Sequence, residues 1–178
     1  MTLDVVSDPL GEGRVEFPHS LMFVTGTQAS SAKANTLSLV RLARVEKTRK
    51  NDGSDSDSEE SDEDMMDEDG GKKAPELHVR SIAHHGGVNR VRSMPQAPAV
   101  AATWGETGHV QLWDLTAQLA GVVGEGNEAG GGGEFKTMRV APQQIFSGHG
   151  TEGYAMDWSP VVPGRLLTGD CKGGIHLW

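Results

Sequence analysis

The sequence predicts an all-β protein in which short blades of antiparallel strands are repeated and one acidic insertion interrupts them. Two segments that end at Trp113 and Trp178 align with each other along their length. Residues 52–69 hold 11 acidic and no basic side chains, and 14 acidic and 16 basic side chains remain elsewhere. The net charge of −9 therefore belongs to one segment and not to the whole surface.

The repeat is defined by the spacing of three residue types. In both segments a Thr precedes the terminal Trp by ten positions, and a His precedes that Trp by 28 or 29 positions. The same residue types at the same spacing, found twice in one chain, indicate two copies of one supersecondary unit. We predict these structural positions to be His85, Thr103 and Trp113 in the first copy and His149, Thr168 and Trp178 in the second.

Each copy is predicted to form three strands, because short apolar runs alternate with turn residues. The predicted strands are 88–94, 99–103 and 109–114 in the first copy and 154–158, 165–168 and 174–178 in the second. Four upstream runs match a divergent further blade: Leu3–Val6, Leu21–Thr27, Leu37–Val45 and Leu77–Ile82. The Leu37–Val45 run fits a short helix about as well as a strand, and only the flanking turn sequence SSAKAN favours the strand.

The predicted organisation is three blades with two insertions. Residues 1–50 and 75–84 form the divergent first blade, 51–74 the disordered acidic insertion, 85–146 the second blade, and 147–178 an incomplete third. The terminal Trp residues lie 65 positions apart, which exceeds the roughly 40–45 residues of one propeller-blade repeat. We assign the surplus residues to a flexible Gly-rich insertion at 117–142. About three blades are too few for a closed ring of typically four to eight, so the expectation is a truncated propeller.

Three stretches, GVNRVRSMPQAP, GHGTEGYAMDWSP and GRLLTGDCKGGIHLW, resemble the glutamate-rich WD-repeat protein family. Histone-binding WD proteins are similar over the same stretches, but LDVVSDPLG, FPHSLMFVTGTQAS and the acidic insertion favour the first family. The resemblance implies a partial WD40 β-propeller and a non-catalytic scaffold or chaperone of ribosome biogenesis, located in the nucleus and nucleolus. It further implies contact with pre-ribosomal particles and binding of a basic large-subunit ribosomal protein, the one numbered three.

Two other functions stay open at this point. The chain is also interpretable as a histone-binding subunit of a chromatin-assembly complex. Alternatively, it is a WD-repeat adaptor that recruits an enzyme complex such as a ubiquitin ligase, in which case the acidic insertion is incidental.

The repeat departs from the usual WD pattern at one position. In many WD repeats an Asp in the hairpin before the Trp strand joins the His, the Ser or Thr, and the Trp in a hydrogen-bonded tetrad. Those hairpin positions are Thr107 and Lys172 here, so complete tetrads are not expected. Asp170 is the nearest substitute acceptor for a partial tetrad.

The acidic insertion is the predicted partner-binding segment. It has almost no apolar side chains to offset the entropy of ordering, so it should stay extended and attract a basic ribosomal protein or a histone. The predicted partner-binding residues are Asp55, Asp57, Glu59, Glu60, Asp62, Glu63, Asp64, Asp67, Glu68 and Asp69. A solvating linker is the alternative interpretation.

Two features flank or lie within this insertion. An acidic residue follows three positions after each of Ser54, Ser56 and Ser61, a context favoured by acidophilic kinases. Each phosphate would add about −1.5 to −2 charges. Upstream lies a basic patch, for which pairing with the acidic insertion is the simplest expectation; it consists of Arg41, Arg44, Lys47, Arg49 and Lys50.

The remaining residues with reactive side chains do not predict an enzyme, a cofactor, a metal site or a small-molecule substrate. Asp170 beside Cys171 lacks a nearby activating base in the sequence. Four histidines lack Cys or carboxylate neighbours at ligand spacing: His84, His85, His149 and His176. The single Cys excludes an intramolecular disulfide. No apolar stretch approaches the roughly 20 residues of a membrane span, so no membrane partner is expected.

Overall fold

The computed structural model describes residues 2–7, 13, 15–46, 75–124 and 137–178. Within them, eleven strands form three antiparallel sheets. The first sheet has the order β1 (Thr2–Val5), β2 (His19–Gly26), β3 (Asn35–Val45) and β4 (Glu76–His84). The second has the order β5 (Val88–Met94), β6 (Ala97–Gly105), β7 (Val110–Asp114) and β8 (Gln144–Phe146). The third contains β9 (Gly153–Trp158), β10 (Leu166–Asp170) and β11 (Ile175–Leu177), and the helix α1 (Thr116–Val123) follows β7.

The predicted all-β class is confirmed over these residues, and the ambiguous Leu37–Val45 run belongs to a strand. β3 lies inside the first sheet, with β2 hydrogen-bonded on one side and β4 on the other. An inner strand that buries side chains on both faces reads as a nearly continuous apolar run, and periodicity alone does not separate such a run from a buried helix.

The three sheets pack face to face in chain order. We call the face of a sheet that points to the following sheet its front face, and the opposite one its back face. The front face of the first sheet packs on the back face of the second through a cluster that includes Val24, Leu39, Ile82, Val91 and Trp113. The front face of the second sheet packs on the back face of the third through Trp104, Val110, Met156, Trp158 and Leu166. Every described sheet therefore uses apolar faces to hold its neighbour.

The connection between β7 and β8 departs from the sequence prediction. The prediction of a flexible insertion at 117–142 is wrong for the residues of α1, because this helix packs on β3 and β4 of the first sheet and buries Val122 completely. It is also wrong at Met138, which pairs with Ile82 on the outer edge of β4. The Asp114 carboxylate accepts the backbone N–H of Thr116 at the start of the helix, and packing on the first sheet adds the larger part of its stability. Residues 125–136 of the predicted insertion lie outside the described residues.

The strand order places both long connections at the same end of the sheets. In an antiparallel four-stranded sheet, the third strand ends where the first strand ends. The connection from Val45 to Glu76 follows the third strand of the first sheet, and the connection from Asp114 to Gln144 follows the third strand of the second. We call this side the insertion end. The acidic residues 51–74 therefore join the described chain at the insertion end, although they lie outside the described residues themselves.

Candidate functional site

A hydrogen-bond relay links β4 to the second sheet. His84 Nδ1 donates to the carbonyl of Gly86 (2.9 Å), and the Thr103 hydroxyl donates to His84 Nε2 (3.0 Å). The Trp113 indole N–H then donates to Thr103 Oγ1 (2.9 Å). A carbonyl can only accept and an indole N–H can only donate, so the two ends of the relay fix the tautomer of a neutral imidazole. His84, Thr103 and Trp113 are all buried, and the relay is closed to water.

The histidine of this relay is His84, so the prediction of His85 is wrong. His84 is the last residue of β4 and is buried, whereas the next side chain is exposed. The interval from His84 to Trp113 is 29 residues, the same as from His149 to Trp178. This equal interval of 29 residues was the signal in the sequence that could have identified His84. The pattern of residue types alone did not decide between two adjacent histidines, because their burial depends on where β4 ends.

The third sheet contains a longer relay that includes a carboxylate. His149 Nδ1 donates to Asp170 Oδ2 (2.9 Å), and the Thr168 hydroxyl donates to His149 Nε2 (2.7 Å). The Trp178 indole N–H donates to Thr168 Oγ1 (2.8 Å). Asp170 Oδ1 also accepts two backbone N–H groups of its own hairpin. Asp170, the substitute acceptor that the sequence suggested, therefore completes a relay of four residues from a position two residues after Thr168, and only the expectation that no tetrad would be complete is wrong for this sheet.

The second sheet lacks the carboxylate because Gly105 stands in the position of Asp170. Both residues follow the relay Thr by two positions. A Cβ at position 105 would lie 2.6 Å from the carbonyl oxygen of Gly87, so the backbone approach leaves no room for any side chain. His84 accordingly donates to a backbone carbonyl instead.

The ionisation of the two relays follows from their surroundings. Burial lowers the pKa of His84 and outweighs the opposite effect of the hydrogen bond to the Gly86 carbonyl. The hydrogen bond from His149 lowers the pKa of Asp170, and backbone N–H groups in the same hairpin lower it further. A neutral His84 and an ionised Asp170 maintain the donor directions given above.

The third-sheet relay contains the atom types of a nucleophile, base and carboxylate triad, and its geometry assigns it a structural role. Thr168 is only 1% exposed, and its Oγ1 already accepts the Trp178 indole N–H. A nucleophilic oxygen needs both a free lone pair and space for a substrate. The relay therefore crosslinks β10, the chain before β9 and the chain after β11.

Within the described ranges, no group of three or more His, Cys, Asp or Glu side chains is arranged to hold a metal ion. The helix that the structure describes is not long and apolar enough to cross a membrane.

Polar contacts tie the first strands of the three sheets, β1, β5 and β9, into one platform. The Asp4 carboxylate accepts the backbone N–H of Ser93 (2.9 Å) and lies 3.6 Å from the Arg92 guanidinium. Arg92 in turn lies 3.7 Å from the carboxylate of Asp157, and the Trp158 indole N–H donates to the Arg92 carbonyl. Charges therefore alternate in sign from sheet to sheet along this edge.

At the opposite end of the sheets, a second set of contacts crosses all three. The Gln28 side-chain amide donates to Asn89 Oδ1 (3.1 Å), and the Asn89 amide donates to Glu152 Oε2 (2.9 Å). These contacts and the two apolar clusters hold the three described sheets together.

The insertion end contains the two described members of the predicted basic patch. The Arg44 guanidinium lies 2.6 Å from the Glu76 carboxylate. Arg41 donates to the carbonyls of Val122 and Val123 at the C-terminus of α1, where a cation is favoured. Both guanidinium groups therefore have partners among the described residues, and the expected pairing of the patch with the acidic insertion stays a prediction, because residues 51–74 lie outside them.

The other predicted binding residues fall outside the described residues. This holds for Lys47, Arg49 and Lys50, for the ten acidic residues from Asp55 to Asp69, and for Ser54, Ser56 and Ser61.

Comparison with known proteins places the chain among WD-repeat proteins. It is 44% identical over its whole length to Protein HEAT STRESS TOLERANT DWD 1 of Arabidopsis thaliana. It is 38% identical over 97% of its length to glutamate-rich WD repeat-containing protein 1 of Dictyostelium discoideum. It is 33% identical over 99% of its length to ribosome assembly protein rrb1 of Schizosaccharomyces pombe. The chain spans 40%, 35% and 35% of these three relatives.

Two further comparisons cover other relatives and the fold. Histone acetyltransferase type B subunit 2 of Schizosaccharomyces pombe is 37% identical over 56% of the chain, which spans 20% of that protein. The WD40 domain of Toxoplasma gondii coronin superimposes with a TM-score of 0.52 at 15% identity, covering 88% of this chain and 29% of that one. At this identity the superposition shows the fold alone. No protein-family model matches the chain.

The face-to-face sheets, the His-Thr-Trp relays and the coronin superposition define a WD-repeat protein with the sheets of a β-propeller. More particularly, the chain is a homologue of the proteins named glutamate-rich WD repeat-containing protein 1 and ribosome assembly protein rrb1. The resemblance drawn from the sequence is thereby confirmed.

Proposed function

We propose that this chain acts as a non-catalytic scaffold or chaperone in ribosome biogenesis and binds a basic large-subunit ribosomal protein. The WD40 fold and the name of the rrb1 relative, a ribosome assembly protein, support the proposal. Such a role places the protein in the nucleus and, more specifically, in the nucleolus. The sheets supply a rigid platform, and the acidic residues 52–69 shield the cationic surface of the client.

One observation carries the binding part of this proposal. Arg41 and Arg44 lie just before the acidic insertion in sequence, and their guanidinium groups already contact the α1 carbonyls and Glu76. An intramolecular ion pair with these two residues would have to replace contacts that the sheets provide. In this proposal the carboxylates of the insertion attract cations from outside the chain, and a basic client offers many at once.

The strength of this attraction depends on salt. At physiological ionic strength, the field of an exposed charge decays over about 8 Å, so the insertion acts by near contact. We expect affinity for the client to fall steeply as salt is raised. A client bound mainly through the apolar or hydrogen-bonding surface of the sheets would show little such dependence.

The test compares three forms of the full chain. One is the unchanged chain, one lacks residues 52–69, and one keeps the length but carries Asn or Gln at the ten acidic positions from Asp55 to Asp69. Binding to purified basic large-subunit ribosomal protein is measured by calorimetry at several salt concentrations. We expect both altered forms to lose at least about tenfold in affinity, the equivalent of roughly 1.4 kcal/mol.

Two controls separate a specific client from a general attraction of opposite charges. A small basic protein unrelated to ribosomes, such as cytochrome c, should bind more weakly than the ribosomal protein at every salt concentration. Equal binding of the two would contradict a client-specific role. Unchanged binding by the length-matched neutral form would contradict the role of the acidic residues.

A histone-binding function is the second candidate, because relatives of this chain carry the names "Histone acetyltransferase type B subunit 2" and "Probable histone-binding protein rba-1". The same three forms, assayed with purified histones H3 and H4, separate the two. Loss of ribosomal protein binding alone supports the first candidate, and loss of histone binding alone supports the second. If neither is affected, the adaptor function that recruits an enzyme complex gains support.

Phosphorylation of Ser54, Ser56 and Ser61 is part of the proposal, since added negative charge would strengthen the hold on a basic client. Intact mass of the protein from its native source, before and after phosphatase treatment, tests it. A native protein without phosphate on these residues would end this part of the proposal.

A further inference from the structure

The loop between β9 and β10 contains a serine that is followed directly by proline. Ser159 and Pro160 form this pair, and no other Ser or Thr of the 178 residues precedes a proline. β9 is the first strand of the third sheet, so its end and this loop lie at the insertion end. Pro160 and Val161 are exposed, Val161 by 82%, and Ser159 is half-buried. The pair therefore lies at the surface, outside the sheets.

The hydroxyl of Ser159 acts only as an acceptor in this loop. Its oxygen accepts the backbone N–H of Val162 (3.0 Å) and, at a longer distance, that of Val161 (3.4 Å). Among the described residues, no acceptor takes the hydroxyl proton. A hydroxyl carries one proton to donate, so this proton remains for a base on another protein once the side chain turns outward.

A few surface hydrogen bonds hold the loop in its present form. The Gln96 side-chain amide donates to the carbonyls of Ser159 (3.0 Å) and Pro160 (2.9 Å). The Ser159 N–H donates to the Arg165 carbonyl (2.8 Å) across the base of the loop. Segments held by few exposed hydrogen bonds open locally at low cost in free energy. The loop can therefore open while the strands on either side of it stay paired.

We propose that Ser159 is a phosphorylation site for a proline-directed serine/threonine kinase. Proline after the serine favours the extended backbone in which a kinase binds its substrate, because proline disfavours the helical conformation in the preceding residue. In the transfer, Ser159 Oγ attacks the γ-phosphorus of ATP, the bond to the bridging oxygen of ADP breaks, and the hydroxyl proton passes to a carboxylate of the kinase. The site stands independently of the proposed function, since Ser54, Ser56 and Ser61 are not followed by proline.

The folded loop offers partners to the phosphate after the transfer. The N–H groups of Val161 and Val162, which now contact Ser159 Oγ, can donate to phosphate oxygens, and hydrogen bonds to a charged acceptor are the stronger ones. The backbone of Arg165 lies next to Ser159, and the exposed Arg165 side chain has no partner among the described residues. A guanidinium matches phosphate oxygens in geometry and charge. We expect the phosphate to pair with Arg165.

The experiment incubates the full 178-residue chain with a recombinant mitogen-activated protein kinase, ATP and Mg²⁺. Intact mass follows the incorporation of phosphate, and peptide mass spectrometry locates it. We expect one phosphate per chain, on Ser159, and none in Ser159→Ala. Pro160→Ala should slow incorporation about tenfold or more, because an apolar pocket discriminates at least this strongly against a smaller side chain. Pro163→Ala is the matched control, since Pro163 is exposed in the same loop and follows a valine, and the rate should stay unchanged.

Two further variants test the part played by the loop. Gln96→Ala removes the hydrogen bonds from the second sheet and should speed incorporation by about twofold to tenfold, the range that corresponds to one hydrogen bond. Arg165→Gln removes the guanidinium, so a phosphatase should release the phosphate about twofold to fivefold faster from this variant. Circular dichroism of each variant checks that the sheets are retained.

Several results would overturn the proposal. A chain that stays unmodified at Ser159 would do so, as would incorporation in Ser159→Ala at the rate of the unchanged chain. Equal rates in Pro160→Ala and Pro163→Ala would show that the proline after the serine is not read. Slower incorporation in Gln96→Ala would contradict the opening of the loop, and an unchanged rate of release from Arg165→Gln would contradict the pairing of the phosphate with Arg165.

Discussion

The relay threonines allow a quantitative test of what holds the sheets together. Thr103→Val keeps the shape of the side chain but removes the hydroxyl that donates to His84 and accepts from Trp113. Both partners are at most 3% exposed, so neither can turn to water. Each buried polar group left without a partner costs about 1–3 kcal/mol, which gives a loss of roughly 2–6 kcal/mol in the free energy of unfolding.

The same change in the third sheet should cost less. Thr168→Val also leaves a histidine and a tryptophan without their partner, but Trp178 is only half-buried and its indole N–H can find water. We expect a loss of about 1–3 kcal/mol. Thr103→Ser serves as the matched control, because it keeps both hydrogen bonds and removes one methyl group, at a cost near 1 kcal/mol.

The assay is urea unfolding followed by tryptophan fluorescence, with the slope against urea compared between variants. An unchanged slope means that stability has changed and the folded surface has not. The reasoning is refuted if Thr103→Val loses no more than Thr103→Ser, or if Thr168→Val loses clearly more than Thr103→Val. Either result would mean that the relays do not hold the sheets in the way the hydrogen bonds indicate.

Three further predictions follow from the same contacts. Burial holds the pKa of His84 below its unfolded value of 6.5, so the unfolded chain binds more protons than the folded chain below that pH. As the pH falls from 6.5 to the folded pKa, the free energy of unfolding should therefore fall by up to about 1.4 kcal/mol per pH unit. In unfolding measured from pH 7.5 to 5, His84→Gln should flatten this dependence. The lowered pKa of Asp170 contributes stability above its ordinary value of 3.8 that is lost as the pH falls through the folded pKa; Asp170→Asn should remove this acid step, and an unchanged acid profile would contradict it. Arg41→Met should release the C-terminus of α1 and speed hydrogen exchange of the helix amides, while exchange of the β5 amides stays the same. An equal increase of exchange in α1 and in β5 would show that Arg41 supports the whole fold instead.

The sequence by itself was sufficient for the repeated units and the three strands predicted in each, but it did not predict β8, which joins the second sheet after the long connection. Alternation of apolar residues and the position of turns are local properties, and a second copy of the same pattern in one chain doubles the signal. The threonine and tryptophan positions of the relays followed from this repetition, because one spacing of ten residues occurs twice. The homologous family was also accessible at this level, since short stretches near the repeated tryptophans carry it.

What the sequence left open are features decided by neighbours that are distant along the chain. The choice between His84 and His85 depends on where β4 ends against β3, and the burial of that end makes the choice. The sequence offered Asp170 only as a substitute acceptor for the third relay, because the hairpin geometry decides which carboxylate oxygen reaches His149.

Tertiary structure alone decided the helix and the partners of the two described basic residues. α1 has only eight residues, too few for a stable isolated helix, and burial of Val122 against a sheet from an earlier part of the chain stabilises it. In the sequence, Arg41 and Arg44 belong to a basic patch expected to pair with the acidic insertion, whereas the structure brings the α1 carbonyls and Glu76 within reach of them. Local patterns specify how a segment folds, and only packing between segments specifies which of its polar groups remain available to a partner.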